Sequence, residues 1–146
     1  MVYGKSLKNY DRTLIQTAGK LDLVIMCYEK AIQLLDQAKD HYLENETVKK
    51  VTKVQKVTNI LNELNGALNM DEGGQIAVNL QSIYTYLIQR ILSGDINKDP
   101  SAYDEAINIL SELKEAWEQI SSEEKNQASE NSDQNEKKYH FSQVAA

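Results

Sequence analysis

The sequence predicts an all-α protein: an antiparallel up-down four-helix bundle preceded by a short N-terminal helix or arm. Three observations predict it. Apolar residues recur at spacings of three and four through four long segments, the signature of one buried helical face. The connections near 44–47, 69–74 and 94–99 are short, which makes consecutive helices antiparallel neighbours. One proline and six glycines leave few chain breakers, against a loop-rich all-β protein. The 146 residues suit one domain, since domains commonly run to ~100–150 residues.

Residues 6–15 read as a short helix, with Tyr3, Leu7, Tyr10 and Leu14 on one face. An element that short is not stable alone and must lean on something else, so residues 1–18 form an arm. Residues 20–43 carry a main stripe of Leu21, Val24, Ile25, Tyr28, Ile32, Leu35 and Tyr42. Beside it runs a second stripe of Leu23, Cys27, Ala31, Leu34 and Ala38. Together they are wider than the ~100° arc a core-facing helix needs. Either neighbours on both sides bury this helix, which periodicity alone favours, or part of it lines a groove.

Residues 47–69 form the next helix, well phased from Val54 through Leu68. At its start Val48, Val51, Val54 and Val57 are spaced by three, so the stripe drifts around the helix. β-branched residues also lower helix propensity there. Lys49, Lys50, Lys53 and Lys56 read as a solvated basic face. Gly73-Gly74 breaks the chain before a helix over 75–93, on which Ile88 and Leu92 widen the apolar side. Asp99-Pro100 supplies an N-cap and a first-turn proline for the last helix, which carries Tyr103, Leu110, Trp117 and Ile120. The bundle proper is thus 19–120. Residues 121–138 hold Ala128 as their one apolar residue, so 121–146 is expected to be a disordered polar tail ending in a short apolar stretch, Tyr139 to Val144.

Charge and composition exclude several functions. A net charge of −6 disfavours nucleic acid, whose phosphates call for a basic surface, and anionic membrane surfaces. The longest apolar run, Leu23 to Tyr28, is far short of the ~20 residues that span a bilayer, and no apolar segment follows the N-terminus as in a signal peptide. The expected address is the cytoplasm. No metal or other cofactor is expected. The Glu-x-x-His pairs of di-metal bundles are absent: Ala38 precedes His41 and Lys137 precedes His140 at that spacing. Asp95, Asn97 and Asp99 begin like a calcium loop, but Pro100 and Ala106 stand where glycine and a bidentate glutamate belong. Cys27 has no flanking cation to activate it, and Gly73-Gly74 lacks the spacing and lysine of a phosphate loop. No catalytic constellation emerges, so the chain is not expected to be an enzyme.

Several segments together resemble the flagellin export chaperones, the FliS family. Tyr10-Asp11-Arg12-Thr13-Leu14-Ile15-Gln16-Thr17-Ala18 resembles that family's Tyr-x-x-x-x-Val-x-Thr-Ala opening. Leu23-Val24-Ile25-Met26-Cys27-Tyr28-Glu29-Lys30-Ala31-Ile32 is similar to its Leu-Ile-x-Met-Leu-Tyr-Asp-Gly-Ala-Ile. Gly73-Gly74-Gln75-Ile76-Ala77-Val78-Asn79-Leu80, followed by Tyr84 and Tyr86, resembles its Gly-Gly segment, and Ile60 to Leu64 and Ala116-Trp117 also fit. The likeness runs over about 8–120 in order. It departs at Gly19-Lys20, where the family has Ser-Pro, at Cys27 for Leu, and at Glu29-Lys30 for Asp-Gly.

The resemblance implies a cytoplasmic, non-enzymatic and mainly monomeric chaperone. Its partner is the C-terminal helical segment of flagellin, held back from premature polymerisation and kept competent for type III export. The flagellar export gate is an open second partner. The resemblance further suggests a binding groove lined by Leu23, Cys27, Leu34, Ala38, Ile88 and Leu92, capped in the empty state by Leu7, Tyr10 and Leu14 of the arm. The alternative reading is a dimerising helical adaptor for a different amphipathic helix.

Overall fold

A computed structural model describes the backbone of residues 20–130 and side chains through Gln127. The expected arm, with Leu7, Tyr10 and Leu14, and the stretch from 131 onward lie outside the described residues. Four helices follow one another: α1 (Lys20–Leu43), α2 (Thr47–Gly66), α3 (Met70–Ile96) and α4 (Ser101–Glu130). Each packs on two neighbours. α1 lies against α2 and α4, and α3 lies against α2 and α4, closing an up-down-up-down ring. The fold is the expected four-helix bundle.

The core explains why these sequences become these helices. Leu34, Leu35, Val57, Ile60, Leu61, Leu87, Ile91 and Leu110 are almost wholly buried, as their three-and-four spacing requires. Three polar aromatics meet at the centre. The Tyr28 and Tyr84 hydroxyls lie 2.5 Å apart, and Trp117 Nε1 donates to Tyr28 Oη at 2.9 Å. This ties α1 to α3 across the bundle and to α4 beside it. Burial is the main reason the Tyr28 hydroxyl is pushed up to about 12, and burial likewise raises Tyr84. Both hydroxyls therefore stay protonated at neutral pH, and the network is neutral.

Four details differ from the sequence expectations. First, α4 continues to Glu130, ten residues into the segment expected to be disordered from 121. Ser121 is buried and its Oγ donates to Asp22 Oδ1 at 2.9 Å, while Lys125 Nζ sits 3.2 Å from Asp22 Oδ2. Polar contacts to α1 accompany this extension as far as Lys125. Second, Lys50 is not on a solvated face. It is 8% exposed, and its Nζ lies 2.7 Å from Asp95 Oδ1. Asp95 also accepts from the Tyr103 hydroxyl at 3.1 Å, so one carboxylate satisfies two buried donors. Third, α2 ends at Gly66, not at 69. Fourth, α3 begins before the two glycines. Asn69 caps it by accepting from the Glu72 amide at 3.1 Å, and Gly74, at φ 54° and ψ −132°, kinks the helix without ending it. That positive φ suits glycine, which has no Cβ to clash.

The turn into α4 is fixed as the sequence suggests. Asp99 Oδ1 accepts from the Ser101 amide at 3.1 Å and from its hydroxyl, and the Asp99 carbonyl accepts from the Ala102 amide. The Ser101 hydroxyl bond, with the other contacts, holds the Asp99 carboxyl below its usual range. Glu46 is lowered chiefly by its bond to Lys49 and also by His41. Both carboxylates add stability above their unfolded values and lose it as pH falls through the depressed ones. Stability should therefore decline below about pH 4. A Glu46→Gln/Asp99→Asn double variant should show a shallower acid decline in urea midpoints.

At the same end of the bundle Gly94 lets α3 and α4 meet. A Cβ there would overlap the Ala102 Cβ and come within 3.0 Å of the Asp99 carbonyl oxygen. Gly94→Val should therefore destabilise the fold by about 2–3 kcal/mol through overpacking, read as a lower urea midpoint.

Candidate partner-binding surface

The two stripes of α1 now have places. Glu29 pairs with Lys114 of α4 at 3.6 Å, and Asp22 contacts Ser121 and Lys125, so one flank of α1 faces α4. At about 100° per residue the second stripe lies on the opposite flank, toward α2. Cys27, Leu34 and Ala38 are 8%, 1% and 0% exposed, and Leu23 is half-buried. This corrects the expected groove: Cys27, Leu34 and Ala38 are interior residues beneath α2, and the excess width of α1 reflects neighbours on both sides.

Of the other two groove residues, Leu92 is exposed and Ile88 is half-buried. Tyr86 Oη donates to Glu105 of α4 at 2.7 Å, and Arg90 Nε donates to the same carboxylate at 3.2 Å, fixing the flank of α3 that faces α4. Ile88, Leu92 and Ile96 follow at intervals of four on the other flank, toward α2. Lys50 of α2 meets Asp95 of α3 there. Ile88 is partly buried against the core, while Leu92 and Ile96 are 42% and 78% exposed. On α2, Val51 and Val48 are 46% and 81% exposed.

The result is an apolar strip along the α2–α3 seam, in the half of the bundle near the α3–α4 turn. It comprises Val48, Val51, Ile88, Leu92 and Ile96. Val48, Val51 and Ile96 are absent from the sequence-derived groove. The drift of the valine stripe was the visible signal: the buried row passes through Lys50 and Val54, which turns Val48 and Val51 outward. A strip of this kind offers no chemistry beyond apolar burial. Among the described residues no group of three or more His, Cys, Asp or Glu side chains is placed to hold a metal ion, and no helix is long and apolar enough to cross a membrane.

The family model for the flagellar protein FliS matches residues 3–124, nearly the whole of this arrangement. The chain belongs to the FliS family. The flagellar secretion chaperone FliS of Salmonella typhimurium is 33% identical over 108 residues, covering 73% of this chain and 80% of that protein. The flagellar secretion chaperone FliS of Vibrio cholerae is 30% identical over 119 residues, covering 79% and 88%. FliSB of Pseudomonas aeruginosa, also a flagellar secretion chaperone, is 28% identical over 121 residues, covering 80% and 96%. The FliS family is one of chaperones, not enzymes.

Proposed function

We propose that this chain is a cytoplasmic flagellar secretion chaperone. It binds the C-terminal helical segment of flagellin, prevents its premature polymerisation and keeps it competent for type III export. The observation that carries this reading is the exposed apolar strip on the α2–α3 seam of the bundle. An amphipathic helix lying along that seam would bury Leu92, Ile96, Val48 and Val51 by its apolar face, a helix-in-groove mode of recognition. The arm residues Leu7, Tyr10 and Leu14 are the proposed cover for apolar surface when flagellin is absent. The free chaperone is proposed to be mainly monomeric, with a dimer as the alternative, and the export gate is a further proposed partner.

The experiment is flagellin assembly followed by light scattering. An equimolar amount of this protein should suppress filament growth, and sizing should show a one-to-one complex. Unimpeded filament growth with the folded protein present would contradict the proposal.

A further inference from the structure

Charge is segregated across the bundle. On α1 the acidic residues Asp22, Glu29, Asp36 and Asp40 fall within one narrow arc at helical phase, on the flank facing α4. Asp22 and Glu29 confirm that side by their contacts with Lys125 and Lys114. Lys30, Gln37 and His41 lie toward the other side, at the outer edge shared with α2.

α2 supplies the matching half of that edge. It carries four lysines against one glutamate, a net +3 in a chain of net −6. Lys50 turns inward to Asp95, marking the side of α2 near α3. Lys49, Lys53 and Lys56 run at intervals of four and three along the other side, toward α1. Glu46 links the two helices at this edge through His41 Nδ1 at 3.0 Å and Lys49 Nζ at 2.9 Å. Among the described residues, Lys30, Lys53 and Lys56 make no ion pair or hydrogen bond. The buried Gln37 Oε1, one helical turn before His41, also has no partner.

We propose that this α1–α2 edge is a docking surface for an acidic polypeptide segment, distinct from the apolar seam on the other side of α2. The row from Lys49 to Lys56 covers eight residues, seven helical steps or about 10 Å, which suits carboxylates spaced one helical turn apart. A long polyanion fits worse. It would run past the short row into the field of the acidic α1 and α4 surfaces, within a Debye length of about 8 Å. Exposed ion pairs are individually weak, so this contact has low affinity alone and serves as a second, salt-sensitive attachment for a partner already held elsewhere.

The test uses the full chain, isotope-labelled, titrated at low salt with a short helical peptide bearing glutamates at intervals of four and three. An otherwise identical glutamine peptide is the control. Amide shifts should centre on Lys30, Lys49, Lys53 and Lys56 and be absent with the glutamine peptide. Affinity should fall about tenfold in Lys53→Glu/Lys56→Glu, and also on raising salt to about 0.15 M. Should that variant unfold, Lys30→Gln/Lys53→Gln, which adds no repulsion, replaces it with a smaller expected loss. Shifts centred elsewhere, no shifts, or equal binding of the glutamine peptide would overturn the proposal. Tighter binding of a short DNA duplex or an anionic vesicle to the same lysines would overturn the assignment to an acidic polypeptide.

Discussion

Leu92→Glu is expected to weaken binding of a flagellin C-terminal segment by about 100-fold while leaving the thermal midpoint of the free protein nearly unchanged. Leu92 is 42% exposed on the seam, so a carboxylate there stays hydrated in the empty chaperone. In the proposed complex the same carboxylate would be taken from water against the apolar face of the bound helix. Lost burial of a leucine costs ~1.5–3 kcal/mol, and the buried charge adds to that. Two such terms comfortably reach the ~2.7 kcal/mol that corresponds to 100-fold. Calorimetric titration and thermal melts of both proteins check the pair of outcomes. Unchanged affinity would move the binding surface off the α2–α3 seam.

Tyr28→Phe should produce the opposite pattern, a large loss of stability with the seam intact. The lost hydroxyl accepts from Trp117 Nε1 and is bonded to the Tyr84 hydroxyl, and all three residues are buried. Phenylalanine fills the same space but leaves the indole N–H with no acceptor and Tyr84 with no partner. Each orphaned buried group costs ~1–3 kcal/mol, so a loss of ~2–4 kcal/mol is expected. That is a large fraction of the ~5–15 kcal/mol that typically holds a domain together. The midpoint should drop by about 10 °C. Adding Trp117→Phe should cost less than its effect in the wild type, since the hydrogen bond is already lost and the second substitution removes the orphaned N–H. Additive losses would show that the three side chains do not act as a network.

The bundle was legible because its evidence is periodic. Tyr28, Leu35, Leu61, Leu87 and Leu110 all fall on the faces that spacing assigns to the core, and all are buried. Turn chemistry made the connection at Asp99-Pro100 legible, but it misplaced the one before α3, because Gly73-Gly74 lies inside that helix and Asn69 caps it. What escaped the sequence depends on pairing between distant elements. Lys50 looks like its neighbours Lys49 and Lys53 until Asp95, on another helix, is placed beside it. The extension of α4 past Ile120 is accompanied by Asp22, a hundred residues earlier, meeting Ser121 and Lys125. The surplus apolar surface was half legible for the same reason. An apolar stripe on α1 announces burial but not what buries it, so Leu34 and Ala38 read equally well as groove or as interface with α2. Ile88 and Leu92 were recognisable as surplus apolar surface. Their companions Val48 and Val51 became so only when Lys50 took the inward position.

Titration calorimetry of the full chain with the C-terminal helical segment of flagellin, repeated at several temperatures, tests the central claim most directly. One-to-one binding with a large negative heat-capacity change is the predicted result, as expected when a helical segment folds onto an apolar seam. A folded protein that produces no heat with its cognate segment at any temperature, and does not alter its helicity, would contradict it.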